Sequence, residues 1–276
     1  MDKLSEIIQQ FTIHAGVFFT GQLCGLSPFE DTHIAEGHVH ILRSGELKIE
    51  KQGEPAIVLD EPAIVFFPRP KAHRLVTSET DGAHLICATV SYGIGLNNPL
   101  TNALPDVMVL PLSQANALEQ NIAWILQEAT GEALGRQTIL NRLMEVFIVC
   151  LLRHLINEDK IEQGMLAGLA NPQLAKVLNS IHQQPEKAWS LDEMAEVALM
   201  SRSKFSPLFK DITGITPNEY LTQWRVSVAQ THLLAGKGVE IAANSVGYDS
   251  PASLNRAFQK VIGTSPSAWL SDVQSI

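Results

Sequence analysis

One stretch of this chain is written twice, and that duplication restricts the fold more than any other feature. The segment from Ser201, SRSKFSPLFKDITGITPNEYL, lies 49 positions ahead of a counterpart from Ser250, SPASLNRAFQKVIGTSPSAWL. Ser201 matches Ser250, Phe205 matches Leu254, Phe209 matches Phe258, Gly214 matches Gly263, Pro217 matches Pro266 and Tyr220 matches Trp269. Each copy reads as an apolar-faced helix, a Gly stop and a Thr-Pro or Ser-Pro restart. The end of the chain therefore holds two examples of one supersecondary unit.

The 276 residues leave room for two domains, each with its own core. Hydrophobic residues make up 45% of the chain, yet no apolar run approaches the ~20 residues that a membrane-spanning helix needs. The opening MDKLSEIIQQF carries Asp2 and Glu6 where a secretory signal needs positive charge, so the expected location is the cytoplasm. Three cysteines, Cys24, Cys87 and Cys150, lack CxxC spacing and fit a reducing compartment. Residues 172–276 carry nine Lys/Arg and nine Asp/Glu, so the net charge of −9 belongs to residues 1–171. A neutral segment beside an acidic one is not the profile of a non-specific nucleic-acid binder. Any DNA binding must depend on where individual charges stand.

From about Val17 to Val90, short alternating or apolar runs are broken by turns at Ser44-Gly45, Gln52-Gly53 and Asp60-Glu61-Pro62. This pattern predicts an antiparallel barrel or sandwich. Near Leu112 the period changes, and 113–130 and 136–157 read as amphipathic helices. Gly164 and Gly168, ahead of Asn171-Pro172, read as a linker before a helix start. Helices are then expected over 172–184, 190–197, 201–211, 217–236, 239–246, 250–261 and 266–273, with N-caps at Ser201, Thr216, Ser250 and Ser265 and a capping box at Ser190 and Glu193.

In the first copy, Leu191, Met194, Ala195 and Val197 face inward from a short helix. A tight turn follows at Met200-Ser201, then Phe205, Leu208, Phe209 and Ile212 face inward from the next helix. Arg202, Ser203, Lys204 and Ser206 point outward at that helix's start. A helix-turn-helix presents this part of its second helix to base edges in the major groove. The second copy repeats the arrangement with Ala242, Ala243 and Val246 inward and Pro251, Ala252, Ser253, Asn255 and Arg256 outward; its turn is one residue longer, so Ala195 pairs with Ala243 at a spacing of 48. Arg202 and Arg256 are candidates for bidentate guanine contacts, Asn255 for adenine, and Lys204, Lys210 and Lys260 for phosphates. Ser201, Ser203, Ser250 and Ser253 complete the candidate face. A bundle that merely packs would also show amphipathic helices with caps, but the matched Gly and Pro and the long helix between the copies favour DNA reading. Two such heads on one helix could enter successive major grooves about 34 Å apart.

The run from Trp189 to Leu270 resembles the DNA-binding domain of the AraC/XylS family of bacterial transcription regulators. The likeness rests on Val246-Gly247-Tyr248, on Phe258 with Gly263, and on Ser265-Pro266-Ser267-Ala268-Trp269. The chain departs from the family pattern at Ala242, where Ile is usual, and at Leu254-Asn255-Arg256 in place of Phe-Ser-Arg. The N-terminal strands are similar to the small cupin barrel attached to many of these regulators, through His38-Val39-His40, Ser44-Gly45-Glu46 and Pro68 to His73. The resemblance implies an α+β chain: a cupin-like antiparallel β-barrel sensor over 1–110, a helical connector and dimerisation segment over 111–165, and an all-α tandem helix-turn-helix over 172–276. It implies a non-enzymatic regulator with double-stranded DNA, a second copy of itself and a small-molecule or oxidant effector as partners. RNA polymerase joins them if the regulator is an activator.

Two side-chain groups in the barrel region could carry more. His38, His40 and His73, with Glu46, supply on paper the ligands of a divalent metal in a cupin. Glu46 falls just past a Gly turn, further from His40 than the metal pattern places it, and packing histidines are the alternative. A cupin metalloenzyme with a helical appendage is accordingly the rival reading of the whole chain. Within the family the likeness is strongest to regulators that respond to reactive chlorine, which carry one Cys near the first barrel strand and another in a late strand. Cys24 and Cys87 match those places, which implies a redox switch by disulfide formation. Otherwise both are small buried hydrophobes, as Cys150 is expected to be.

Overall fold

The computed structural model describes residues 13–29, 36–92, 99–158 and 163–274, together with positions 4, 5 and 8. The described chain packs as two compact units, one from 13–92 and 105–155, the other from 99–104 and 156–274. The stretch expected as a separate connector is divided between them.

The first unit is built on β1 (Ile13–Leu23), β2 (Leu26–Phe29), β3 (Gly37–Gly45), β4 (Leu47–Glu50), β5 (Ile57–Leu59), β6 (Ala63–Phe67), β7 (His73–Val76) and β8 (Ala83–Tyr92). The chain then forms a short helix, α1 (Pro99–Asn102), which belongs to the second unit, and returns as β9 (Met108–Pro111). Among the described residues the strands hydrogen-bond as two antiparallel sheets, in the orders β1-β8-β3-β6-β9 and β2-β7-β4-β5. The expected barrel is thus not closed. The sheets share one core: Leu42, Val65, Phe67, Leu85 and Cys87 from the first meet Leu47, Ile49, Leu59 and Leu75 from the second. The period-two alternation of β3 and β8 puts His40 and Cys87 on this inner side.

Two short 3₁₀ turns lead to α2 (Glu119–Thr130) and α3 (Arg136–Asn157). α3 secures the edge strand β1 where its register slips between Val17 and Phe19. There the Val17 N–H donates to Asn141 Oδ1 at 3.0 Å, and Gln137 Nε2 donates to the Val17 carbonyl at 2.6 Å. A bulged sheet edge keeps its backbone groups satisfied in this way.

The second unit contains α4 (Met165–Ala170), α5 (Pro172–Gln183), α6 (Leu191–Val197), α7 (Arg202–Thr213), α8 (Pro217–Leu234), α9 (Val239–Ser245), α10 (Pro251–Ile262) and α11 (Pro266–Gln274). The glycines read from sequence as a linker instead start and fill α4. Gly164 has φ +103° with Ala103 against it, and Gly168 packs on Leu178 and Thr213. The capping boxes at Ser190/Glu193 and at Thr216/Glu219 both form. Ser250 and Ser265 cap through their hydroxyls, but Ser201 makes no side-chain cap bond and instead meets Ser203 Oγ at 3.2 Å.

The duplication persists in three dimensions. Phe209 meets Tyr220 edge to face at 5.7 Å, and Phe258 meets Trp269 edge to face at 5.8 Å. Both α6 and α9 close with the same backbone bond, Met200 N–H to the Ala195 carbonyl and Tyr248 N–H to the Ala243 carbonyl. That closure needs one left-handed residue. The second copy uses Gly247 at φ +80°, whereas the first uses Leu199 at φ +57°, its side chain 78% exposed and so contributing little packing.

Replacing Leu199 by Gly should therefore raise stability in urea unfolding by about 0.5–1 kcal/mol, since the relieved left-handed strain exceeds the added chain entropy. Gly263→Ala, in open space at φ +88°, should cost about 1–2 kcal/mol. Gly247→Ala should cost clearly more, because its Cβ would sit 2.4 Å from the Glu186 carbonyl oxygen. Equal losses at 247 and 263 would contradict the packing described.

Candidate functional site

The starts of α7 and α10 are the two places where each repeat turns side chains outward. Phe205 and Phe209 anchor α7 inward, leaving Arg202, Ser203, Lys204 and Lys210 exposed. Leu254, Ala257 and Phe258 do the same for α10, leaving Asn255, Arg256 and Lys260 exposed and Ser253 half-buried. Arg202 makes a loose ion pair with Asp192 of α6 at 3.5 Å, both side chains more than half exposed. Such a pair contributes little and is readily exchanged for another anion. Arg256 donates to Ser253 Oγ at 3.1 Å, and Ser250 Oγ accepts from the Ser253 N–H. The two heads thus offer a guanidinium within the first two turns of each second helix, on a surface whose other side is core.

A side chain that sequence reasoning passed over lies between the heads. Arg225 of α8 donates from Nε to the Pro185 carbonyl at 2.7 Å and from Nη2 to the Lys187 carbonyl at 2.8 Å, and its Cζ lies 5.4 Å from the centre of the Tyr248 ring. The available signal was a lone Arg within the otherwise buried stretch of α8.

In the sheet unit, the three predicted histidines do come together. His40 of β3 and His73 of β7 join the two sheets through their Nε2 atoms at 2.8 Å, and His38 lies 5.4 Å from His73 between ring centres. The Lys71 carbonyl, 2.6 Å from His73 Nδ1, accepts a hydrogen bond from that N–H, so His73 Nε2 accepts and His40 Nε2–H donates. Burial, with the neighbouring rings, drives His38 down to about 4 and His40 well below the ordinary histidine value; burial also lowers His73. These rings form a neutral hydrogen-bonded set. Glu46 is exposed in the turn after β3, about 20 Å along the strand from His40. Among the described residues no group of three or more His, Cys, Asp or Glu is placed to hold a metal ion.

Nor are the two predicted cysteines within bonding reach. Cys87 pairs with Phe19 across β1, whereas Cys24 follows Leu23, the partner of Ala83. That is about 15 Å along the sheet, against the ~7 Å Cα separation that limits a disulfide. Cys24 is exposed, and Cys87 is buried with its thiol pushed up to about 12 by desolvation. Cys150 is half-buried. Beside β1 and β8 a cleft of about 360 Å³ opens against α3, bordered by His14, Thr89, Ser91, Asn141, Arg142 and Glu145.

Comparison with known families matches residues 2–157 to a family described as Cupin and residues 194–272 to a helix-turn-helix domain. A regulator described as AraC-like from Streptomyces lividans is 31% identical over 86% of this chain and 79% of its own length. The chain belongs to the AraC family of transcription regulators. The RCS-specific HTH-type transcriptional activator RclR of Escherichia coli (strain K12) is 27% identical over 86% of this chain and 85% of its own. The DNA-binding domain of AdpA, solved in complex with a target DNA, aligns at 28% identity with 38% of this chain and 95% of that one, with a TM-score of 0.36.

As an AraC-family protein the chain is a DNA-binding transcription regulator with a cupin domain ahead of its helix-turn-helix domain. Both of these full-length relatives are named as transcription regulators. No helix among the described residues is long and apolar enough to cross a membrane.

The helical unit of this AraC-family chain holds another buried imidazole. His182 stacks on Trp224 at 3.7 Å and shares a 2.7 Å hydrogen bond with the Tyr220 hydroxyl; desolvation takes its pKa to about 3. Below pH 6.5 the unfolded chain gains protons that the folded histidines refuse, so stability is complete above that pH and declines beneath it. The loss for His182 alone is about 1.4 kcal/mol per pH unit until its folded value is reached. Urea midpoints measured from pH 7 to pH 5 should fall steadily, and a flat profile would show these rings to be protonated in the native state.

Proposed function

We propose that the two second helices, α7 and α10, read adjacent major grooves of one operator, with Arg202 and Arg256 on guanines and Asn255 on adenine. Lys204, Lys210 and Lys260 meet phosphates, and the hydroxyls of Ser201, Ser203, Ser250 and Ser253 line the same face. The observation that carries this reading is the matched exposure of the two helix starts above matched aromatic anchors. The net charge of the helical unit, which is zero, adds nothing to this reading.

The test is affinity for duplexes selected from a random pool. Arg202→Ala and Arg256→Ala should each lose about 1–3 kcal/mol, roughly 5- to 150-fold, and relax preference at one base pair. Lys260→Ala should weaken all duplexes alike and lower the salt slope by about one ion. Full retention of sequence preference by the double Arg variant would remove these helices from the interface.

The same reading takes the active species to be a cytoplasmic homodimer. Ile139 and Val146, both exposed, and the half-buried Val149 and Cys150 lie along one stripe of α3, suited to a second copy of the chain. Contact with RNA polymerase belongs to it if the regulator activates. The sheet unit receives the effector, a small polar molecule in the cleft beside α3 or an oxidant. RclR is named for RCS, and its likeness to this chain supports an oxidant.

For an oxidant, the exposed Cys24 is the thiol attacked first, because Cys87 holds almost no thiolate at neutral pH. Hypochlorite treatment should change DNA affinity in the wild type and in Cys87→Ser but not in Cys24→Ser. An equal response in all three proteins, or none in any, would remove Cys24 as the sensor.

A further inference from the structure

We infer that Arg225, together with Gly247 and Tyr248, forms a clasp that sets the separation of the two reading heads and so makes the protein selective for the spacing between its two half-sites. The inference rests on the DNA reading above and deepens it.

Three pieces of chain meet at this point: the loop 185–187 that feeds α6, the middle of α8, and the turn between α9 and α10. Arg225 spans the loop by donating to two of its carbonyls, those of Pro185 and Lys187. The carbonyl between them, Glu186, abuts the second turn so closely that a Cβ on Gly247 would stand 2.4 Å from its oxygen. The same Cβ would stand 2.8 Å from Arg225 Nη2, so the guanidinium itself fills the space a side chain would take. Tyr248 closes the arrangement, its hydroxyl hydrogen-bonded to the guanidinium and its ring centre 5.4 Å from the Arg225 Cζ.

The clasp is close in sequence to both heads. Lys187 is three residues before Ser190, which caps α6, and Tyr248 is two residues before Ser250, which caps α10. Loosening it leaves each helix-turn-helix with its own core, since Phe209–Tyr220 and Phe258–Trp269 are separate aromatic pairs. It releases chiefly the angle and distance between the cores. A planar, five-donor guanidinium can hold two carbonyls and an aromatic face at once; an ammonium cannot. Arg225 is therefore a positioning residue that has no need to touch DNA.

The experiment uses the full chain, its selected duplex, duplexes with one base pair inserted or removed between the half-sites, and a duplex with one half-site only. One base pair shifts the second half-site by about 3.4 Å and turns it by about 35°. The wild type should lose tenfold or more for either change. Arg225→Ala and Arg225→Lys should lose less than threefold, with affinity for the single half-site unchanged from wild type. Tyr248→Phe, which keeps the ring but removes the hydroxyl bonded to the guanidinium, should discriminate spacing less sharply than wild type and more sharply than Arg225→Ala. Should Arg225→Ala fail to fold by circular dichroism, Arg225→Lys decides. If the folded Arg225 variants discriminate spacing as sharply as wild type, the clasp has no such role. If wild type selects no duplex at all, the DNA reading itself has failed, a different and separable result.

Discussion

The helical unit depends on one helix serving two cores. α8 buries Tyr220, Leu221 and Trp224 toward the first repeat and Val226, Ala229 and Leu233 toward the second. Its apolar positions therefore wind round the helix instead of forming one stripe, and even Ser227 and Gln230 are buried. Eighteen residues give a rod about 27 Å long. That length approaches the repeat of duplex DNA, so the packing that stabilises each repeat also places the pair. A helix covered on one side only would stabilise one head and leave the other to swing.

The sheet unit solves a different problem, that of placing polar groups in a core. His40 and His73 are joined across the sheets, and the proton on His73 Nδ1 is fixed by a backbone carbonyl. One hydrogen bond thereby determines the direction of the next, and both rings stay neutral at the cost of acid stability. Cys87, directly opposite His40 on β8, shares this dry surrounding and is unreactive for the same reason: desolvation penalises the charged form of whatever sits there. Burial thus explains both why the histidines stay neutral and why the Cys87 thiol keeps its proton. α1, which follows β8 in the chain, packs against α4 and α8 within the second unit.

Local signals made the helical unit legible in the sequence. Caps at Ser190, Thr216, Ser250 and Ser265, helix-ending glycines and the repeat of 49 fixed its helix bounds to within two residues, because they act over three or four positions. The exposed site residues followed from the same periodicity. What could not be read depended on contacts distant in the chain. Gly164 and Gly168 looked like a linker because the partners that require small residues, Ala103 and Leu178, are not their neighbours in sequence. Cys24 and Cys87 are paired through the family resemblance, which does not show how far apart along the sheet they lie; the register does. Arg225 goes unremarked in the sequence because the carbonyls it holds, those of Pro185 and Lys187, lie some forty positions earlier.

The neutrality of the helical unit makes sense once its two heads are treated as tethered binders. With nine positive and nine negative residues over 172–276, net charge gives this unit no general attraction for DNA. Each recognition helix alone would bind weakly and leave quickly. Joined by a stiff rod, the second head meets its groove at a local concentration set by geometry, which multiplies affinity only where the half-sites match the rod. A flexible joint would spread that concentration over many spacings and lose the gain. Low charge and high rigidity are then complementary: little non-specific attraction holds the protein on the wrong sequence, and stiffness restores affinity on the right one.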